Sequence, residues 1–450
     1  MHYQAVLPAV LLPFLGAAIA VQSEAPAVPV FKPVPYDKAP PYYPGAPYTF
    51  PPRETRTKHC SIEPQGSGQD DSQNILKNFS ECKENAKITF EEGTFNIEKI
   101  MKVEGLKNVH IDIKGTLLWS EHVDYWLANS MPIPTNFQLQ STAFILGGDH
   151  IHMRSSNGKG TFNGNGHIWY DKFDLVTNKK GRPHQVTFEK LTNSVVEGIK
   201  FINSQMWTMS ITNSDSVLFQ DIYVNSTTES GHGPPNTDGA DTLASNNIAF
   251  ARWVIQNGDD GISCKGNSSN ILIEDIVMHT GSGLAMGSIG QYWRQHDYIV
   301  NVYAHRIWAY NTWHAMYLKT WSGDKSQNPP PNGGGGGLGL MWNITLNDTT
   351  IYNVGEPFNI DQCLTYTQGD KPNCDSSKFE ILDIKVEDIK GTMTGDYNDV
   401  ASLHCSGAAP CKGITISDYD ITNAKTNAKV TKILCDPKKT LETKGFTCAA

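Results

Sequence analysis

The sequence predicts an all-β solenoid, a parallel β-helix of about ten coils closed by a short N-terminal capping helix. Short β-branched runs recur along most of the 450 residues, each introduced by Asn or Ser and ended by Gly or Asn. They return about every 20 to 33 residues, the period of stacked coils with inserted loops. The runs read as strands with little helix between them, which points to β-coils rather than helical repeats. A β-sandwich would explain the alternation but not the repeated Asn-x-Val/Ile-x-Ile pattern.

The N-terminus comes first. An apolar run from Ala5 to Ala20 ends in Ala18-Ile19-Ala20, the small-x-small ending of a secretory signal over residues 1–20. Residues 21–55 are rich in proline, from Pro33 to Pro52, and read as an extended surface arm. The rest, 56–450, reads as one catalytic β-helix. Asp70-Asp71-Ser72, followed by Ile75-Leu76, reads as the capped start of a helix, so this acid pair is structural.

Coils follow from Ile88. Asn108-Val109-His110-Ile111, Asn193-Ser194-Val195-Val196 and Asp215-Ser216-Val217-Leu218 open the series. Asn247-Ile248-Ala249-Phe250, Asn270-Ile271-Leu272-Ile273 and Asn301-Val302-Tyr303 continue it. Asn at matching turns predicts left-handed residues or a hydrogen-bonded ladder. Ser120 to Ala143 and residues 328–340, with Pro329-Pro330-Pro331 and Gly333 to Gly337, read as insertions able to wall off one end of a groove.

Three acids lie where successive coils would stack them. Asn236-Thr237-Asp238-Gly239 is followed some twenty residues later by Gly258-Asp259-Asp260-Gly261, then by Gly281-Ser282-Gly283. Equivalent positions on neighbouring coils sit roughly 5 Å apart. Crowded carboxyls keep at least one proton, which supplies an acid beside ionised partners. Hydrolysis of a glycosidic bond requires that pairing.

Composition narrows the partners. Net charge is −9, with 37 Lys and Arg against 46 Asp and Glu, which argues against nucleic acid. No segment after the leader has the apolar length of a membrane span. Cysteine spacing predicts Cys60–Cys82, Cys363–Cys374, Cys405–Cys411 and Cys435–Cys448, leaving Cys264 as a buried free thiol. No spacing matches a metal site, and no cofactor is implied. Asn78, Asn225, Asn267, Asn343 and Asn347 head Asn-x-Ser/Thr sequons.

These acid motifs, the Lys319 region, Gly93-Thr94-Phe95-Asn96-Ile97 and Gly160-Thr161-Phe162-Asn163-Gly164-Asn165-Gly166 resemble family 28 glycoside hydrolases, the polygalacturonase family. The likeness runs from about Cys60 to the C-terminus. It implies a right-handed β-helix and inverting hydrolysis, with Asp259 as general acid and Asp238 and Asp260 as bases holding water. The usual Gly-His-Gly is Gly281-Ser282-Gly283 here, and the usual Arg-Ile-Lys is Tyr317-Leu318-Lys319. Gly261 and Met278 stand where the family places a disulfide. His279 and His314 are candidates to replace the missing imidazole, while His305 reads as a strand residue.

Substrate contacts are expected from Lys319, Tyr317, Ser282, Asn236, Gln291 and the loop residue His232, with Arg294 and Lys265 as further carboxylate contacts and Tyr292 and Trp321 on a sugar-binding rim. The variant motifs are similar to those of exo-acting fungal members. The expectation is therefore a secreted, monomeric exo-polygalacturonase acting on pectic polysaccharide, with an acidic pH optimum. An exo-rhamnogalacturonan hydrolase is the nearest alternative, then an endo-polygalacturonase, then a non-catalytic polysaccharide-binding β-helix.

Overall fold

The computed structural model describes residues 25–33, 55–172, 178–228, 234–325, 330–366 and 372–449. The strands wind into a parallel β-helix with three sheets. One sheet starts at Lys58–Ile62 and Glu84–Phe90 and runs in register through the Asn-headed runs. Val217, Ile248, Ile271 and Val302 stand directly above one another in it. A second sheet begins with Thr94–Ile97 and Thr116–Trp119. The third contains Met209–Thr212, Ala240–Leu243, Asp260–Cys264, Gly283–Ile289 and Met316–Trp321, each paired with the next.

The corners explain the Asn pattern. Asn108 donates its amide to Asn85 Oδ1, and Asn270, Asn301 and Asn343 form a ladder with bonds of 2.9 Å between successive rungs. These residues have positive φ, which Asn tolerates because its short amide bonds locally. The bend between the first two sheets is also left-handed, at Asp221, Arg252, Asp275 and Arg306. There each Arg is held by the Asp one coil earlier, at 2.7 Å in both pairs.

Apolar side chains fill the interior in stacks, such as Phe188, Phe219 and Phe250 with ring centroids 5.3 and 5.8 Å apart. Helix Ser72–Glu81 lays Ile75 and Phe79 over the N-terminal end of this column. Cys60–Cys82 ties it down, and Cys363–Cys374, Cys405–Cys411 and Cys435–Cys448 are also bonded. Cys264 is free and buried.

One expectation changes in detail. Asp71 occupies the cap position but does not cap the helix with its side chain. Its carboxylate accepts the Gln65 and Asn96 N–H groups, fastening the entry loop to the second sheet, while Asp70 Oδ1 takes the Ser72 N–H. The signal segment and most of the Pro-rich arm lie outside the described residues. Within 25–33, Phe31 packs on Trp308, and Tyr310 donates its hydroxyl to Pro26 O.

Candidate active site

Strands Ala240–Leu243 and Asp260–Cys264 are neighbours, with Ala240 opposite Ile262. Two residues upstream, that register sets Asp238 beside Asp260. The coils touch closely: a Cβ on Gly239 would lie 2.3 Å from Gly261 O, which only glycine permits. The ladder then bulges between Asp260 and Ile262, turning the acids toward one face. Asp238, Asp259 and Asp260 each bring a carboxylate oxygen within 4.8 Å of the others.

A dense support holds them. Asp259 accepts the Asn236 and Asp260 N–H groups, each at 2.9 Å. Asn257 Nδ2 bridges Thr237 O and Asp260 O. Behind Asn236, the fully buried Arg182 donates to Gln205 O and Pro235 O. Asp260 accepts the Tyr317 hydroxyl and lies 3.1 Å from Lys319 Nζ, which also donates to Tyr317 at 2.7 Å. Lys265 Nζ sits between Asp241 Oδ1 at 3.1 Å and Asp260 Oδ2 at 3.5 Å.

This wiring separates the carboxyls electrically. Burial would raise Asp260, but Lys319, Lys265 and the Tyr317 hydroxyl outweigh it and hold the group below its ordinary range. Burial, followed by the charge of Asp260, raises Asp259. Burial, then Asp241, Asp259 and Asp260, pushes Asp238 well up. Burial also takes Asp241 up to about 7 against the pull of Lys265. Asp260 is thus the ionised member, and Asp259 and Asp238 hold protons to higher pH. Three close carboxyls offer the donor set of a cation site, but two ammonium groups already face Asp260.

Above the acids opens a cavity of about 690 Å³ whose lining includes Trp207, Asn236, Lys265, Lys319 and Tyr366. The 120–143 insertion supplies Phe137 and Gln138 to it, and the second insertion supplies Asn332. The two insertions are tied together. Gln138 Nε2 donates to Gln291 Oε1 at 3.0 Å, and the Gln138 backbone N–H donates to the Tyr292 hydroxyl oxygen at 2.7 Å. Gln291 Nε2 in turn donates to Pro331 O and Gly333 O, both at 2.9 Å.

A model of the glycosyl hydrolases family 28 matches residues 76–440. The chain belongs to family 28 of the glycoside hydrolases. An α-L-rhamnosidase of Aspergillus niger is 41% identical over 391 residues, covering 86% of this chain and 89% of its own. Exopolygalacturonase X of Aspergillus niger is 34% identical, covering 82% and 84%. The solved endo-xylogalacturonan hydrolase of Aspergillus tubingensis shares the fold, with a TM-score of 0.72 at 23% identity, over 87% of this chain and 99% of that one.

In this family 28 member the departures from the usual pattern have physical counterparts. Tyr317, in place of arginine, turns its hydroxyl onto Asp260. A Cβ on Gly261 would lie 2.7 Å from Met278 Sδ, so apolar packing fills the place of the expected disulfide. Ser282 donates its N–H to Asp259 O and is only partly buried. His314 packs against the Tyr317 ring in a tilted arrangement at 4.8 Å and is kept neutral, with burial lowering its pKa to about 4. His279 stacks on Tyr310 in the second sheet and is not among the residues lining the cavity. His305 pairs with Glu274 in the first sheet.

Gln291 and Tyr292, expected as sugar contacts, instead join the walls from behind. Neither Arg294, placed at the Trp293 ring, nor Trp321, packed on Tyr366, is among the residues lining the cavity. His232 lies outside the described residues. Asp241 and Arg182 escaped the sequence reading. Asp241 had a faint signal, an acid inside the strand that follows Asp238; Arg182 had none, because Lys179-Lys180-Gly181-Arg182 looks like an ordinary basic loop.

Proposed function

We propose that the chain is a secreted exo-acting pectin hydrolase that cleaves α-1,4-galacturonosyl linkages from the non-reducing end and releases galacturonate. The observation that carries this reading is the Gln138–Gln291–Tyr292 tie, which joins the two insertions into a wall beside the cavity over the acids, and we read that wall as its closed end. A closed end admits a chain terminus and excludes a passing polymer. Asp259 donates the proton to the leaving oxygen. Asp260, kept ionised, takes the proton of the attacking water, and Asp238 helps to hold that water. The acids are closer than the about 6.5–9.5 Å usual for an inverting pair, so inversion rests on family membership and not on spacing.

A second reading is favoured by a specific observation. The cations among the cavity-lining residues are Lys265 and Lys319, and both face acids of the site. A uronate carboxylate finds no unshared ammonium among the described lining residues, whereas rhamnose needs none. The rhamnosidase relative points the same way. Timed digestion of homogalacturonan and rhamnogalacturonan oligomers tests both. Galacturonate alone at early times supports the first reading, rhamnose supports the second, and early oligomers overturn the exo assignment. Asp259→Asn should cost about 10³-fold or more in turnover while the protein still folds.

The four disulfides suit an oxidising compartment, and the leader-like N-terminus directs the chain there. Among the sequons, Asn267 is exposed at a turn, whereas the amides of Asn78, Asn225 and Asn343 are already engaged with Asn74, Tyr223 and Asn301, and Asn347 is half-buried within strand Leu338–Val354 with its Oδ1 accepting the Asp348 N–H. Asn267 is therefore the site we assign to a glycan.

A further inference from the structure

We propose that Trp313 and Tyr397 form a stacking platform for the part of the pectic chain beyond the scissile bond. Trp313 is 56% exposed, unusual for so large an apolar ring. It stands edge-to-face with Tyr397 at 5.9 Å over a groove of about 460 Å³. Backbone hydrogen bonds link the groove to the catalytic loop. Trp313 donates its N–H to Gly281 O at 2.8 Å, and the next residue, Ser282, donates its own to Asp259 O at 2.8 Å. Gly281 lines the groove and would touch Asp259 O at 2.5 Å if it carried a Cβ.

Direction follows from the walls. The Gln291 tie stands after strand Gly283–Ile289, at its C-terminal end, while Trp313 precedes strand Met316–Trp321. The closed end and the Trp313 groove therefore lie at opposite ends of neighbouring strands. A terminal sugar held against the wall leaves the remaining chain to run past Ser282 onto Trp313. A pyranose ring has one apolar C–H face and a rim of hydroxyls. The rings offer the apolar contact, and Asn311, Asn353 and Thr394 supply polar partners along the groove. Asp396, the acid in the lining, is paired with Lys425, so the groove presents no unshared negative charge to an anionic polymer.

The platform rests on the exo-hydrolase reading for its orientation, and two measurements keep them apart. The first compares kcat/KM on a hexamer with that on a trimer of whichever backbone the wild-type enzyme trims. In Trp313→Ala and Tyr397→Ala the hexamer-to-trimer ratio should fall about tenfold, and Trp313→Phe should restore most of it. An unchanged ratio in both alanine variants overturns the platform. The second is hexamer affinity by calorimetry, which needs no turnover. Should the wild-type enzyme release no monosaccharide, the exo reading falls, yet about tenfold weaker hexamer binding by the alanine variants still supports the platform. Equal affinity overturns it. Trp313 is outside the core, and a thermal melt confirms that each variant is folded.

Discussion

Tyr317 shows how one side chain sets the chemistry of another. Its own pKa is driven well up by burial and by the charge of Asp260, so it remains a phenol that donates to that carboxylate. Removing the hydroxyl takes away part of what keeps Asp260 ionised. Tyr317→Phe should therefore shift the acid limb of the pH–kcat profile upward and lower kcat, while the alkaline limb, set by the raised Asp259, stays in place. A profile measured from pH 3 to 8 checks this; an unmoved acid limb would assign control of Asp260 to the two lysines alone. The three acids were legible in the sequence because each sits in a short Gly-bounded segment one coil from the next. Their division of labour was not, because it depends on Lys319, which reaches Asp260 from another coil, and on Lys265, which reaches back to it from the far end of its own strand.

At the scale of elements, two insertions matter more than the coils they interrupt. The 120–143 insertion anchors itself with the fully buried Trp126, whose indole donates to Ser120 O, and then sends Phe137 and Gln138 over the acids. The second insertion meets it through Gln291. Breaking a buried amide pair costs about 1–3 kcal/mol, enough to loosen a loop without unfolding the solenoid. Gln138→Ala combined with Tyr292→Phe should accordingly raise the share of dimers and longer oligomers among early products. Chromatography of short digests measures it, and a product pattern identical to that of the parent would detach the wall from chain-end selection. The existence of both insertions could be read from composition, but their meeting could not. Residues 138 and 291 are brought together only by the stacking of intervening coils.

For the whole molecule, pH stability is set by groups the solenoid buries. His110 and His184 are pushed down to about 3 and His314 to about 4, burial being the largest cause in each. An unfolded histidine titrates near 6.5, so these three contribute stability that is present above that pH and is lost as pH falls toward 3. The raised Asp238, Asp259 and Asp241 act in the opposite sense: their contribution is present below the unfolded value and is lost as pH rises, for Asp241 through about 7. The melting temperature should thus be highest at mildly acidic pH and fall on both sides. A steady rise from pH 4 to 8 in a series of thermal melts would contradict this balance.

The sequence alone determined the repeating architecture, the capping helix, the stacked acids and the family likeness, since each is local or periodic. Left-handed Asn corners, Gly-bounded acids and alternating strands leave marks within a single coil. Tertiary structure decided which residues meet across coils. It made Gln291 a tie between walls instead of a sugar contact, set Asp241 and Arg182 behind the acids, and left Trp313 exposed beside Tyr397. The physical reason is that stacking turns sequence separations of tens of residues into contacts of a few ångströms. Loop lengths, which follow no period, choose which of those contacts form.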